Sequence, residues 1–157
     1  MDCWWKFWWL LTMCCTLLAG QPKKTSRKSL PPVRTVCAVL LLSYSDYLCP
    51  LCLQSFLQTA DSLNSWPGLQ TWCVLIGDSE TFMGIPAQIV RAQFKGWIAA
   101  SGLNFQALVD EKGFLNTMIR DGPVLIVFSK GSFIRHWSLP LSPNDLKTVK
   151  KFIKQSG

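Results

Sequence analysis

The chain has 157 residues, of which 49% are hydrophobic and 16% charged, the size of one ordinary domain and a composition that excludes wholesale disorder. It is too short for a barrel of eight strand-helix units, shows no repeat in the roughly 20–50 residue range, and lacks the apolar runs that several membrane spans need. The net charge of +7 is unevenly spread: residues 1–34 hold six basic side chains and one acid, while residues 35–157 hold ten and eight. A nucleic-acid footprint requires Lys and Arg clustered on the folded body, so no nucleic-acid partner is expected; the basic front suits anionic lipid or solvent.

Phe7–Gly20 is fourteen residues without a charge, preceded by Lys6 and followed by Gln-Pro-Lys-Lys. That length suits the apolar region of a signal peptide better than a span, which needs about 20 residues. Counting back over Lys6 to Cys3 gives eighteen residues, and a snorkelling lysine makes this a short anchor. Trp4, Trp5, Trp8 and Trp9 suit a membrane interface. Three readings stay open for residues 1–20: a cleaved signal ending at Ala19 or Gly20, a retained anchor, or a lipoprotein signal on Leu11-Thr12-Met13-Cys14. The basic residues after the apolar stretch oppose export of a retained anchor, but its shortness and small terminal residues favour it. The expectation is therefore an extracytoplasmic chain (periplasmic or on the outer face), membrane-anchored or secreted. Residues 21–34 lack apolar periodicity and read as a basic, proline-punctuated linker, so the domain is expected over 35–157.

Val36–Leu42 is a continuous apolar run, expected as a strand buried on both faces. Over Pro50–Ala60, Leu53, Phe56, Leu57 and Ala60 share one helical face. Asn64–Gly68 is a loop with a Pro-Gly turn signal, and Thr71–Ile76 a second buried strand closed by Gly77-Asp78. Pro86–Ala100 predicts a helix with Ile89, Ala92 or Gln93, Gly96, Trp97 and Ala100 inward, weakened by Gly96. Phe105–Val109 is a short strand before the turn Asp110–Gly113, and Phe114–Ile119 a short helix broken at Asp121-Gly122-Pro123. Val124–Phe128 is a third buried strand, which Lys130-Gly131 turns into a hairpin with Ser132–Trp137. The last helix opens with Ser142 as N-cap, Pro143 at its first position and Asp145 near the positive end of its dipole. Leu146, Val149, Phe152 and Ile153 form its buried stripe, and Lys147, Lys150, Lys151 and Lys154 a solvated face. Strand–helix alternation with a late hairpin predicts an α/β fold: a mixed central sheet with helices on both faces, as a three-layer sandwich.

Cys49-Pro50-Leu51-Cys52 falls between the first buried strand and the first helix. Free N–H groups and a partial positive charge at a helix start favour a thiolate there. The spacing lets Cys52 reach back one turn to attack a mixed disulfide at Cys49, and Pro50 suits the first helical position. Cys49 is thus the candidate exposed nucleophile and Cys52 the candidate buried resolving thiol. The same spacing also fits half a zinc site or a permanent structural disulfide. A zinc site would draw on Cys37, Cys73 or His136, but no second C-x-x-C exists, and Cys37 and Cys73 lie in expected strands as core thiols. His136, late in the hairpin, reads as packing or surface. Cys3, Cys14 and Cys15 belong to the leader.

With Gly122-Pro123 opening a strand and hairpin, and an amphipathic last helix, these residues resemble the thioredoxin-fold superfamily. Seventy-one positions separate Cys52 from Pro123, and the added segment, with Phe105-x-x-Leu-Val-Asp-x-x-Gly113, is similar to the insertion of TlpA-like and other redoxin-type proteins. The resemblance covers about residues 35–157. It implies a protein thiol-disulfide oxidoreductase acting on a protein substrate, as a monomeric domain, with no cofactor and no metal. It also implies that Pro123 is a cis-proline beside the cysteines and that Gly122 and Pro123 bind an extended substrate chain.

Departures from that family's pattern shape the expectation. Leu48 replaces the tryptophan usual before the first cysteine, Ser43 a buried acid, and Leu51 the histidine of strongly oxidising C-P-x-C enzymes. Asp46, the one charge between Ser43 and Ala60, opposes a thiolate. The helix dipole then becomes the main stabiliser, the Cys49 pKa falls modestly, and the protein is a reductant. Peroxidase chemistry fits less well, since Asp46 and Leu42 stand where redoxin peroxidases carry a hydroxyl and a proline. The alternative is a metal-binding carrier or redox-silent adaptor on the same two cysteines.

Overall fold

A computed structural model describes residues 36–156 apart from 79, 120, 130 and 131, with backbone alone at 132–134 and 156. The expected leader over 1–20, linker over 21–34, domain start at Thr35 and turn at Lys130-Gly131 lie outside the described residues. Among the described residues no helix is long and apolar enough to cross a membrane.

The elements run β1 (Val36–Ser43), α1 (Tyr44–Leu48), α2 (Pro50–Asn64), β2 (Gln70–Ile76), α3 (Ala87–Ala100), β3 (Gln106–Asp110), a single 3-10 turn (Asn116–Met118), β4 (Val124–Ser129), β5 (Ser132–Ser138) and α4 (Pro143–Ser156). The sheet order is β3-β2-β1-β4-β5. β1, β2 and β3 are parallel, β4 is antiparallel to β1, and β5 closes a hairpin on β4 with a register shift between Val127 and Phe128. The apolar runs of β1, β2 and β4 are the strands buried on both faces: Val39 and Leu40, Val74 and Leu75, and Leu125 and Ile126 are all inaccessible neighbours pointing opposite ways. This is the expected mixed α/β architecture, and its core joins Leu40, Leu42, Phe56, Leu75, Phe94 and Val149 across sheet and helices.

Two expectations about helices are corrected. α3 buries Val90, Phe94 and Ile98, with Trp97 partly buried, while Ile89 is exposed. The stripe at 90, 94, 97 and 98 holds two aromatic rings and two β-branched chains, so it outcompetes the weaker stripe through Gly96 and Ala100. The expected helix over Phe114–Ile119 contracts to one 3-10 turn. The Asp110 carboxylate takes the Leu115 N–H at 2.8 Å, and Asn116 N–H bonds back to Gly113, which sits at φ +62°. These bonds use the chain in a tight reversal and leave no length for a helix.

The cap of α4 follows the sequence. Asp145 N–H donates to Ser142 Oγ at 3.1 Å, and Asp145 Oδ2 accepts from Ser142 N–H at 3.2 Å. The lysine face of α4 is exposed, as expected.

Candidate functional site

Parallel strands deliver their C-terminal ends to one edge, and antiparallel β4 starts at that same edge. Ser43 pairs with Ile76, Ile76 with Asp110, and Leu41 with Val124. The segments 43–49, 77–86, 110–118 and 122–123 therefore leave or enter the sheet together. Cys49, Cys52, Gly122 and Pro123 are brought to one edge by topology alone.

A short helix, α1, joins β1 to Cys49. Ser43 caps it, with Oγ accepting the Asp46 N–H at 3.1 Å and donating to Asp46 Oδ2 at 2.5 Å. The Asp46 carbonyl accepts the Cys49 N–H at 3.1 Å, which ends α1 and turns the chain. Cys49 then serves as N-cap residue of α2, with extended backbone and Pro50 in the first turn. The signal in the sequence was Ser43-x-x-Asp46, a capping-box pattern.

α1 is held by a ring cluster. Tyr44 meets Phe82 edge-on at 5.0 Å, and Tyr47 meets Phe94 at 5.8 Å and Trp97 at 5.5 Å, both edge-on. These contacts pin the cysteine loop to α3 and to the segment after β2.

Cys49 and Cys52 are unbridged thiols, and both are half-buried. The expectation of a buried Cys52 is corrected. It lies one turn before Phe56 on the inward stripe of α2, but at the helix end, where that stripe runs out to the rim. The Cys49 pKa is lowered, first by the Cys52 thiol donating to it, then by the backbone N–H of Cys52 and, less, that of Leu51; Asp46 works against this. The helix terminus thus assists, and a neighbouring S–H leads, where the dipole was expected to dominate. Cys52 is pushed up to about 11, chiefly because its proton is shared with Cys49, with burial and Asp46 adding to the rise. Asp46 acts on Cys52 both as a charge and as a hydrogen-bond acceptor, a role that sequence reasoning missed.

Pro123 is buried, and its carbonyl accepts the Leu139 N–H at 2.9 Å. The expected cis bond at Pro123 is corrected: among the described residues the cis peptide is Leu139–Pro140. The turn into β4 is made instead by Gly122 at φ +114°, a conformation open to glycine. A Cβ at Gly122 would meet nothing within 4 Å, so a chain can approach its backbone.

Cys73 is fully buried, and burial pushes its thiol far above the ordinary range, as suits a core residue. Cys37 is partly buried on β1, its Sγ 3.9 Å from the Ala38 carbonyl oxygen. His136 is exposed on β5 opposite Ile126, away from the cysteines. Among the described residues no three His, Cys, Asp or Glu side chains gather as a metal-holding group.

Solved structures share this architecture. A thiol-disulfide isomerase from Corynebacterium glutamicum superposes with a TM-score of 0.56 at 15% identity, over 86% of this chain and 90% of the other. A thioredoxin-like protein from Porphyromonas gingivalis gives 0.52 at 16% identity, over 85% and 82%. StoA from Bacillus subtilis gives 0.51 at 17% identity, over 78% and 84%. The fold is thioredoxin-like. No protein-family model and no curated protein matches the chain. β3, which holds most of the Phe105–Gly113 segment, extends the sheet at its parallel edge beside β2.

Proposed function

We propose that the protein is a thiol-disulfide oxidoreductase working as a reductant on protein disulfides. The Cys49 thiolate attacks a client disulfide, forming a mixed disulfide and releasing one client thiol. Cys52 then attacks the Cys49 sulfur, forming Cys49–Cys52 and releasing the second thiol. The client gains two electrons and the pair loses two, so a dithiol donor must restore it. The observation that carries this reading is the pair of unbridged, half-buried thiols at the start of α2, Cys49 at its N-cap and Cys52 in its first turn. Gly122 and Pro123 enter the sheet at the same edge, and an extended client chain would run along the open Gly122 backbone.

The reductant direction rests on the stabilisers of the thiolate. They are one thiol and two amides, with the Asp46 carboxylate opposing and no cation among the causes. A strong oxidant needs a reduced form held far more firmly, with a potential near about −120 mV. The leader over 1–20 and linker over 21–34 would tether a 35–157 domain outside the cytoplasm, at a membrane that the tryptophans and lysines of the front suit.

Reduction of a disulfide-linked protein such as insulin, with dithiothreitol as donor, tests the reading. Cys49→Ser should abolish turnover. Cys52→Ser should stall as a mixed disulfide visible by mass. Equal rates in both variants and the parent, or a potential near the strong-oxidant value, would overturn it.

A further inference from the structure

Five large apolar side chains are exposed among the described residues: Leu48, Leu51, Met83, Ile89 and Phe114. All five lie on segments at the edge that carries the cysteines. Leu48 and Leu51 are 54% and 75% exposed and flank Cys49, so any chain bonded to its sulfur must meet them. Ile89 stands in the first turn of α3, and Phe114 in the turn that follows β3.

Met83 is 68% exposed and is held where a side chain rarely sits, at φ 53°. Such a backbone is strained in a non-glycine residue. The segment around it is built to hold that shape. Asp78 Oδ1 accepts from Thr81 N–H at 2.9 Å and Glu80 N–H at 3.1 Å, and Ile85 N–H returns to the Phe82 carbonyl at 2.9 Å. Phe82 is buried against Tyr44 of α1 and occupies the space that a Cβ on Gly77 would need. The next residue is Met83, exposed on the segment whose Phe82 packs on Tyr44 of α1.

Charge divides along the same line. Segments 43–49, 77–91 and 110–123 hold six acids (Asp46, Asp78, Glu80, Asp110, Glu111 and Asp121) against three bases (Arg91, Lys112 and Arg120). The rest of 36–157 holds two acids against seven bases. Arg91 pairs with Glu111, which leaves five acids against two bases on these segments. A domain of nearly balanced charge therefore gathers an excess of acids and its exposed apolar residues on the segments of its thiol edge, and leaves a basic remainder elsewhere.

We infer that this edge is a docking surface for an extended, cationic client polypeptide that places apolar residues on Leu48, Leu51 and Met83 while its Lys or Arg face Glu80 and Asp121. Charge complementarity selects the occupant: acidic polypeptides are repelled at the same edge, and the effect acts on encounter and fit before any sulfur reacts. The inference rests on the exchange reading of Cys49 but is measured apart from it.

The test uses the full chain in nonionic detergent with Cys49 and Cys52 both changed to Ser, so that no chemistry intervenes. Two fluorescent peptides share an apolar centre and differ only in Lys or Glu flanks, and anisotropy gives their affinities. The Lys-flanked peptide should bind at least about tenfold more tightly at low salt, the ratio shrinking as salt screens it. Glu80→Lys with Asp121→Lys should cut the ratio severalfold. Met83→Asn, which tolerates the left-handed backbone, should weaken both peptides alike. Equal binding of the two peptides, or indifference to these substitutions, would overturn the inference. Failure of the exchange reading shows separately, as absence of reduction of the neutral hydroxyethyl disulfide by the parent chain.

Discussion

In the reduced protein Cys52 should hold its proton far beyond the ordinary thiol range. With a pKa of about 11, against an ordinary 9.0, Cys52 is thiolate in only about one molecule in ten thousand at pH 7, a hundredfold below an ordinary thiol. Nucleophilicity recovers part of this: at a Brønsted slope near 0.4–0.5, two units of basicity return about tenfold. The net deficit is then about tenfold, so the first alkylation of the reduced pair should fall on Cys49. The rise depends first on the proton that Cys52 shares with the Cys49 thiolate, so it should lapse once Cys49 is bonded to a client sulfur and Cys52 is freed to attack. Asp46 contributes by charge and as an acceptor for the thiol, so Asp46→Asn should lower the Cys52 pKa while still accepting from Ser43. Ultraviolet thiolate absorbance of the reduced protein, followed against pH, should show two steps, the second at about 11 in the parent and lower in Asp46→Asn. A second step at the ordinary 9.0 in the parent, or an unmoved one in Asp46→Asn, would refute the proton sharing.

Further outcomes follow from packing and charge. Gly77→Ala should destabilise the domain by about 1–3 kcal/mol in urea titration, because its Cβ would collide with the Phe82 ring and lie 2.8 Å from Thr81 Oγ1. Phe94→Ala should cost about 3–5 kcal/mol, since the ring is fully buried and supports both Tyr47 and Trp97. Asp78, lowered below its ordinary 3.8 chiefly by hydrogen bonds from Thr81, contributes stability that is whole above that value and disappears as pH falls through the depressed one. The gap in stability between the parent and Asp78→Ala should therefore be constant from about pH 7 to 5 and narrow as pH falls below 3.8, and a gap that does not narrow with acid would contradict the assignment.

The strands were legible because their residues are apolar without alternation, which only a sheet covered on both faces tolerates. The last helix was legible because Ser142, Pro143 and Asp145 are a local device whose geometry needs no distant partner. The face of α3 was misread because periodicity offered two stripes, and only the rings of Tyr47 and Trp97 decide between them. A buried Cys52 was expected from its place on the inward stripe, but burial at a helix end depends on what lies beyond that end. The cis bond was expected at Pro123 by resemblance, and the positive φ of Gly122 makes that turn in another way.

Local chemistry was enough to place two thiols at the mouth of a helix and to set their spacing. Those properties belong to consecutive residues, and folding cannot alter them. Tertiary structure alone decided that Phe82 packs on Tyr44 of the short helix before Cys49, and that three separate acidic segments reach one edge of the sheet. Each of those depends on strands pairing across long stretches of chain, and only the register of the sheet determines which loops become neighbours.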